Sequence, residues 1–342
     1  MKAAYVKAPF HFEVKEVELR DIGPTEIIVD VKACGVCGHD LILARYGAAK
    51  LQQFGHEAAG VVSEVGSLVS NVAVGDKVVL ESGTFDRFSN NSRNGRVDLD
   101  NKGPNFWIKD DDNMGFAERM IVPCECAVRF DGLSFEEASL TEPLGVALDL
   151  FKTADIKIMN DVLVIGLGPI GLMAAKLAKE CGARNVYGAE FSSCEARIKT
   201  ANDWGIDNVI PTDKVKIENF SFAKGGVDRV LVTAPPMMIP TAFNVCNVGG
   251  IVAFIGIEYG EKGIFSVDSN VIHFNKLQLR ASHASPALYF PECIDLIRSG
   301  KIPVGDLITS RFELEEVGKK IVAFEKDKKN SIKAVMVAAE RG

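Results

Sequence analysis

Three separate stretches of the chain carry side chains of the types that bind transition metals. Thiolate, imidazole and carboxylate groups together suit zinc, and a zinc site with three protein ligands keeps one position open for catalysis. Each stretch alone has another interpretation: C-x-x-C also occurs in zinc ribbons and redox pairs, a histidine can be a core residue, and a glutamate can cap a helix. The candidates, in chain order, are Cys34, Cys37, His39, His56, Glu57 and Glu142.

A glycine-rich turn near the middle of the chain is typical of dinucleotide binding. Apolar residues 162–165 lead into G-x-G-x-x-G, and residues 172–179 have helical spacing. A buried strand, a tight turn and a helix N-terminus form a cradle for a pyrophosphate. The motif alone is weak evidence, but here both flanks fit it. The turn residues expected to bind the coenzyme are Gly166, Gly168, Pro169, Ile170 and Gly171.

Glu190 follows the next predicted strand, residues 185–189, at the offset where a carboxylate binds the adenosine ribose hydroxyls. It would repel a 2′-phosphate, so we expect NAD rather than NADP. Alternatively, Glu190 only caps a turn, and Arg197 is a contrary signal because it could reach a phosphate. Ligands bind at the carboxyl ends of parallel strands. Further coenzyme contacts are therefore expected at Thr233, Ala234, Ile255 and Ile257.

The elements that must position these residues fall into two patterns. The first 80 residues alternate short β-type runs with glycine and proline, which predicts an all-β, partly open barrel. Residues 161–282 alternate strands and helices, which predicts a doubly wound parallel sheet. The chain is therefore expected to be α/β. The expected domains are 1–150 with 284–342 for catalysis and 151–283 for the dinucleotide, and the polar stretch 81–113 is expected to be a surface loop.

Length and composition narrow the possibilities. The chain has 342 residues, which suits two domains. A net charge of −7 argues against nucleic acid as a partner, and nothing suggests a membrane surface. Residues 1–6 are typical of a first strand rather than a signal peptide. Eight cysteines are too few for a disulfide scaffold. We therefore expect a cytoplasmic protein whose reduced thiols are free to bind metal.

With these motifs together, the chain resembles the medium-chain zinc-dependent dehydrogenases over essentially its full length. The Glu-Pro pair at 142–143 looks most like the polyol branch, which includes sorbitol, galactitol-phosphate and threonine dehydrogenases. The resemblance implies a GroES-like N-terminal domain, a Rossmann domain, zinc, NAD, and a homodimer or homotetramer. The shared motifs are residues 34–40, G-H-E at 55–57, V-G-D-K-V at 74–78, G-F-A-E at 115–118, E-P-L at 142–144 and the turn at 166–171.

The resemblance also implies roles for individual residues. Cys37 is the thiolate ligand of the zinc and His56 the imidazole ligand, whereas Cys34 is a packed thiol. Glu57 and Glu142 are carboxylates beside the metal. One of them ligates it directly, and the sequence leaves open which one.

Two departures from the family pattern carry expectations. The family has Thr or Ser two residues after the ligand cysteine and His three residues later, whereas this chain has His39 and Ile42. We expect His39 to take the substrate proton, directly or through water; the alternative is a purely structural residue. Many members also carry four closely spaced cysteines that hold a structural zinc, but residues 81–120 contain none. One zinc per chain is therefore expected.

The expected reaction is hydride transfer to NAD from a secondary alcohol of a polyol, sugar or sugar derivative, which gives the ketone. The alternatives are a non-enzymatic NAD-binding protein and a dehydrogenase of a simple alcohol or amino-acid hydroxyl. A metal-free NADPH enone reductase fits poorly, because such enzymes lack the ligands found here. Residues that could line the substrate site are Arg45, Tyr46, Phe106, Trp107, Phe116, Glu118 and the acidic run 110–112.

Overall fold

The computed structural model describes residues 1–107 and 113–339. The described strands are β1 (Lys2–Lys7), β2 (His11–Glu16), β3 (Glu26–Gly35), β4 (Gln52–Gln53), β5 (Glu57–Val65), β6 (Lys77–Leu80), β7 (Arg119–Pro123), β8 (Ala127–Arg129), β9 (Asp161–Ile165), β10 (Asn185–Glu190), β11 (Asn208–Pro211), β12 (Val227–Val232), β13 (Cys246–Phe254), β14 (Gln278–Ala281), β15 (Ile308–Phe312) and β16 (Lys333–Val337). The described α-helices are α1 (Gly38–Ile42), α2 (Asn90–Arg93), α3 (Phe135–Ser139), α4 (Thr141–Thr153), α5 (Pro169–Glu180), α6 (Glu195–Asp203), α7 (Ile239–Asn244), α8 (Ser269–Asn275), α9 (Phe290–Arg298) and α10 (Val317–Lys326). Within the described residues, no helix combines the length and apolar character needed to cross a membrane.

The chain divides into two compact units. The first comprises Met1–Gly145, Ser285–Asp327 and Lys333–Gly342, and the second comprises Val146–Ala284 and Lys328–Ile332. The short segment Lys328–Ile332 lies within the stretch that the sequence assigned to the catalytic domain. It packs with the second unit because the N–H of Ala196 donates to the carbonyl of Lys329.

The first unit is built on two largely antiparallel sheets. Its N-terminal part is mainly β, but the prediction that it is all-β is wrong, because residues 38–47 are helical. The larger sheet has the order β15-β16-β3-β5-β6-β8, with β7 also paired to β3, and the smaller has the order β2-β1-β4. Strand β3 suits a central position because Val, Ile and Ala occupy five of its ten positions and all five are buried. Its last residue, Gly35, lies opposite Glu57 of β5 and opposite Val335 of β16. This register brings three distant parts of the chain to the end of β3.

The predicted surface loop at 81–113 is only partly a surface feature. It contains the single-turn helix α2, and Gly83 forms a β-bridge with Asn105. Phe106 is 4% exposed and packs into the core of the first unit, because a large apolar side chain gains more from burial than from exposure. The acidic run 110–112 lies outside the described residues.

The second unit is a six-stranded parallel sheet of order β11-β10-β9-β12-β13-β14. This confirms the predicted doubly wound sheet. All five residues of β9 are buried, as expected for a parallel strand with both faces covered. The strand order reverses between β9 and β12, so the carboxyl ends of these two strands mark the position where such sheets bind ligands.

Candidate metal centre and coenzyme site

Three side chains of the first unit converge at the end of β3. One donor atom each from Cys37, His56 and Glu57 lies within 4.8 Å of the other two. Cys37 is the N-cap of α1, His56 directly precedes β5, and Glu57 is the first residue of β5. This is the one group of three metal-ligating side chains found in residues 1–107 and 113–339.

Asp40 organises the loops that carry two of these residues. Its carboxylate is buried and accepts hydrogen bonds from the N–H groups of Cys37 (2.8 Å) and Gly55 (3.2 Å). Its Oδ1 also lies 3.9 Å from Nδ1 of His56. Metal-bound histidines usually direct their second ring nitrogen towards a carboxylate, and Asp40 is the carboxylate that faces Nδ1 of His56 here, beyond hydrogen-bond distance.

The charges around His56 act strongly on its imidazole. Burial lowers the pKa of His56, but the Cys37 sulfur and the carboxylates of Asp40 and Glu142 outweigh burial and raise this pKa to about 10. Burial in turn raises the pKa of the Cys37 thiol, and His56 opposes that shift. His56 thus offsets part of the effect of burial on the Cys37 thiol.

The two predicted glutamates occupy different positions. Glu57 is 1% exposed, and its Oε1 accepts a hydrogen bond of 2.6 Å from the ammonium of Lys333. Glu142 lies in the first turn of α4 and is partly exposed. Burial raises the pKa of Glu142 to about 7, against the opposing effect of His56. Glu57 thus belongs to the converging trio, and Glu142 is close enough to interact with it electrostatically.

His39 and Trp107 lie beside the trio. The ring centroids of Trp107 and His56 are 4.6 Å apart, and those of Trp107 and His39 are 5.5 Å apart. Nδ1 of His39 is buried and has no hydrogen-bond partner among the described residues. Burial lowers the pKa of His39, and so does the neighbouring His56. Both rings line a cavity of about 240 Å³, which Lys50, Gln52 and Phe106 also line.

Several other predicted site residues have structural partners instead. Cys34 is fully buried in the core, as expected for a packed thiol. Arg45 is ion-paired with Glu325 at 2.5 Å. Phe116 is fully buried against Phe54, with ring centroids 4.7 Å apart, so it cannot form a wall of the site.

Two more residues that were expected at the substrate site lie elsewhere. Glu118 has a structural partner, because it accepts a hydrogen bond of 2.9 Å from the N–H of Lys2. Tyr46 is exposed and does not line the cavity beside His39.

The donor set fits a zinc ion. A sulfur, a ring nitrogen and a carboxylate oxygen are the three kinds of atom that zinc prefers in proteins. The side chains of His56 and Glu57 are buried, and Lys333 offsets the cost of burying charged ligands only at Glu57. In this arrangement Cys37, His56 and Glu57 would hold the ion, with Glu142 close by.

In the second unit, the glycine turn has the form that the motif predicts. Gly166 follows β9 with a positive φ of 94°, which favours glycine, and Gly168 is the N-cap of α5, with Pro169 at its first position. A Cβ on Gly171 would overlap the carbonyl oxygen of Gly166, whereas a Cβ on Gly168 would meet no protein atom within 4 Å. The turn is thus tight at Gly171 and open at Gly168.

Glu190 ends β10 with its carboxylate already engaged. It accepts hydrogen bonds from the N–H groups of Leu167 (3.1 Å) and Phe191 (2.9 Å) and from the guanidinium of Arg197 (3.0 Å). Arg197 therefore forms an ion pair with Glu190 in this structure. The carboxylate links the glycine turn to the end of the neighbouring strand.

The strand-end residues differ in position. Thr233 directly follows β12, and its hydroxyl donates to the carbonyl of Gly166 at 2.6 Å, so it supports the glycine turn. The N–H of Ala234 donates to the carbonyl of Ile165 (3.0 Å), and that of Ile255 donates to the carbonyl of Val232 (3.2 Å). Ile257 is 57% exposed.

Two family models match the chain. The alcohol dehydrogenase GroES-like domain matches residues 23–131, and the zinc-binding dehydrogenase model matches residues 169–299. The chain belongs to the medium-chain zinc-dependent alcohol and polyol dehydrogenases. The predicted family is therefore confirmed, together with its GroES-like and Rossmann folds and its zinc.

Relatives of this dehydrogenase are similar along their whole length. D-xylulose reductase of Saccharomyces cerevisiae is 28% identical over 99% of this chain and 98% of its own. L-idonate 5-dehydrogenase of Vitis vinifera is 27% identical over 92% and 88%. The solved structure of 2R,3R-butanediol dehydrogenase from Bacillus subtilis has a TM-score of 0.83 and 25% identity, with 98% and 99% of the two chains covered. The predicted enzyme class, a zinc-dependent alcohol or polyol dehydrogenase, is thus confirmed.

Sequence reasoning missed two residues of this dehydrogenase's metal centre. Asp40 directly follows the C-x-x-C-G-H run, and its position three residues after Cys37 is a capping-box signal that could have identified it. Lys333 begins β16, 276 residues after Glu57, and no local pattern indicates that the two meet.

Proposed function

We propose that this dehydrogenase transfers hydride from a secondary alcohol carbon of a polyol, sugar or sugar derivative to NAD and leaves the ketone. The observation that carries the proposal is the convergence of Cys37, His56 and Glu57 on one point. Similarity to D-xylulose reductase and L-idonate 5-dehydrogenase supports a substrate with several hydroxyl groups.

The proposed roles of the metal-centre residues follow from their chemistry. Cys37, His56 and Glu57 hold the zinc, Glu142 is the carboxylate beside it, and Asp40 keeps His56 oriented. When bound, zinc acts as a Lewis acid that lowers the pKa of an alcohol, so that the hydroxyl loses its proton near neutral pH.

We further propose that His39 accepts the proton of the substrate hydroxyl, directly or through one water molecule. Its ring lines the cavity, and its Nδ1 has no hydrogen-bond partner within the described part of the chain. A neutral imidazole can accept a proton, and burial beside His56 favours the neutral form because it lowers the pKa of His39.

The cavity beside His39 suits a hydroxylated substrate. Lys50 and Gln52 line it with polar groups that can hydrogen-bond to hydroxyls. The indole of Trp107, 39% exposed, offers an apolar face against which the carbon-bound hydrogens of a sugar chain can pack. Half of the residues that line the cavity are polar or charged, which suits a ligand with several hydroxyl groups.

The remaining elements of the proposal concern coenzyme, assembly and location. Glu190 would bind the adenosine ribose and favour NAD, and the turn residues Gly166–Gly171 would hold the pyrophosphate. We also propose a homodimer or homotetramer in the cytoplasm with one zinc ion per chain. Light scattering on the protein as it elutes from a size-exclusion column would determine the number of subunits.

The experiment that tests the reaction is an assay of the zinc-loaded protein with NAD and a panel of polyols, sugars, aldonates and simple alcohols, followed through NADH formation. We expect oxidation of at least one polyol or sugar derivative, with a ketone product. NAD binding without oxidation of any compound would instead indicate a non-enzymatic protein, and activity confined to simple alcohols would refute the substrate class.

The two thiols of the C-x-x-C pair provide a matched control. Cys37→Ala should abolish both zinc binding and activity, whereas Cys34→Ala should retain zinc because Cys34 is a buried core thiol that is not one of the three converging donors. Loss of zinc in Cys34→Ala with retention in Cys37→Ala would show that the ligand is wrongly assigned.

A further inference from the structure

The metal centre contains a buried cation that the ligand assignment does not use. Lys333 is 2% exposed and is the one lysine or arginine classed as buried among residues 1–107 and 113–339. A lysine is seldom buried without a partner, because removing an ammonium group from water is costly. Its burial therefore points to a specific electrostatic role.

The partners of Lys333 are well defined. Its Nζ donates to Oε1 of Glu57 (2.6 Å) and to the carbonyl of Val36 (2.9 Å), and it also contacts Oε2 of Glu57. Both carboxylate oxygens of Glu57 thus face the ammonium. The same carboxylate supplies the oxygen that lies within 4.8 Å of the Cys37 sulfur and a His56 nitrogen. Glu57 is therefore shared between Lys333 and the metal position.

The backbone is adapted to this ion pair. A Cβ on Gly35 would overlap Oε2 of Glu57 and would lie 3.1 Å from Cε of Lys333. The backbone φ of Gly35 is not positive, so glycine is needed here for space rather than for backbone conformation. A side chain at position 35 would take up space that the ion pair of Glu57 and Lys333 fills.

The charges around the metal position explain why the ion pair of Glu57 and Lys333 matters for metal binding. The trio contains the carboxylate of Glu57, and the carboxylates of Asp40 and Glu142 act on it from nearby. Without a metal, Lys333 supplies the positive charge closest to Glu57. With a divalent ion present, two cations act on the same carboxylate and repel each other at short range.

We propose that Lys333 is an internal counter-cation that stabilises the metal-free site and competes with the metal for the carboxylate of Glu57. The proposal rests on the zinc site assigned above. Lys333 is thus a positioning residue with two effects. It stabilises the folded site before the metal binds, and it lowers the affinity of that site for zinc. Its removal should strengthen metal binding, which is the opposite of what loss of a purely structural residue would do.

The test compares the parent protein with Lys333→Met, which keeps the length of the side chain but removes its charge. Zinc affinity is measured by competition with a chromophoric chelator, and thermal unfolding is recorded with and without zinc. We expect Lys333→Met to bind zinc roughly tenfold or more tightly and to have a lower Tm when metal-free. Equal or weaker zinc binding by Lys333→Met would overturn the proposal.

Two further measurements keep the test decisive. If metal-free Lys333→Met does not fold, zinc dissociation from the loaded protein is measured instead, and it should be slower than in the parent. In a Glu57→Gln background, adding Lys333→Met should raise zinc affinity clearly less than it does in the parent, because competition for the shared carboxylate is gone and only the direct repulsion between the two cations remains. A gain as large as in the parent would show that the effect does not pass through Glu57 and would refute the inference.

A matched control separates this effect from a general loss of an ion pair. Arg184 pairs with the buried Asp161 in the second unit, with Nε 2.8 Å from Oδ1. Arg184→Met should lower Tm without changing zinc affinity. If the parent itself binds no zinc, the proposed function fails; if the parent binds zinc but Lys333→Met gains no affinity, only this inference fails.

Discussion

Gly171 and Gly168, two glycines of one turn, should respond in opposite ways to the addition of a single methyl group. At Gly171, a Cβ would overlap the carbonyl oxygen of Gly166 and would lie 2.8 Å from Oγ1 of Thr233. Neither is the end of a flexible side chain, so β9 and α5 must move apart. Overpacking of this kind costs about 1–3 kcal/mol. For a unit of this size, Gly171→Ala should therefore lower Tm by about 2–12 °C.

At Gly168, the added methyl group meets no protein atom within 4 Å, and the φ of −63° is open to any residue. Gly168→Ala should therefore unfold within a few degrees of the parent and could gain about 0.4–1 kcal/mol from a less flexible unfolded chain. The space that the methyl group fills is the space through which the backbone approaches a pyrophosphate. Coenzyme affinity should fall roughly tenfold or more, because the phosphate would lose its backbone hydrogen bonds.

The assay is thermal unfolding without coenzyme, followed by titration with NADH, in which nicotinamide fluorescence reports binding. We expect lower stability in Gly171→Ala, and normal stability with weak NADH binding in Gly168→Ala. If Gly168→Ala bound NADH as tightly as the parent, the coenzyme would not approach this turn, and the assignment of residues 166–171 would be wrong. An unchanged Tm for Gly171→Ala would contradict the packing argument.

Three other predictions address selectivity, metal content and proton transfer. Glu190→Ser should lower the ratio of kcat/KM for NAD to that for NADP about tenfold or more, because it removes a repulsive carboxylate and releases Arg197; an unchanged ratio would exclude Glu190 from coenzyme selection. Elemental analysis should find about one zinc per chain, and a value near two would show that the chain holds a second ion and that this expectation is wrong. His39→Ala should lower kcat about a hundredfold or more with an unchanged Tm, and a rate near that of the parent would remove His39 from the reaction.

Hydrophobic periodicity was sufficient to predict the second unit. Four of its six strands, β9, β10, β12 and β13, are each followed by an α-helix of the same unit, and such alternation has few foldable arrangements other than a parallel sheet. The apolar run at 162–165 lies within β9 (Asp161–Ile165), and the helical spacing at 172–179 lies within α5 (Pro169–Glu180). The glycine turn was identifiable for the same reason, because its chemistry depends only on residues that are neighbours in the sequence.

The metal centre was less accessible to sequence reasoning because its parts are distant in the chain. Lys333 begins a strand, a position where a lysine is usually exposed, and only the pairing of β16 with β3 brings it to Glu57. Trp107 was one of several aromatic residues in a polar stretch, and its 4.6 Å distance from the ring of His56 depends on the path of that stretch. Phe116 illustrates the opposite error: an aromatic residue expected in the site is core packing.

The ion pair of Glu57 and Lys333 also constrains how the strands of the first unit can align. Successive residues of β5 face opposite sides: Ala58 packs in the core cluster that contains Cys34, and Ala59 packs in the cluster that contains Phe290. A shift of one residue between β3 and β5 would turn Glu57 towards the first cluster and away from Lys333. Its charge would then be buried without a partner, which costs far more than the loss of a methyl contact. The small side chains at the end of β3 resist such a shift only weakly, so the ion pair supplies the register specificity that their packing lacks. The alignment that satisfies this charge is the one that brings Cys37, His56 and Glu57 together.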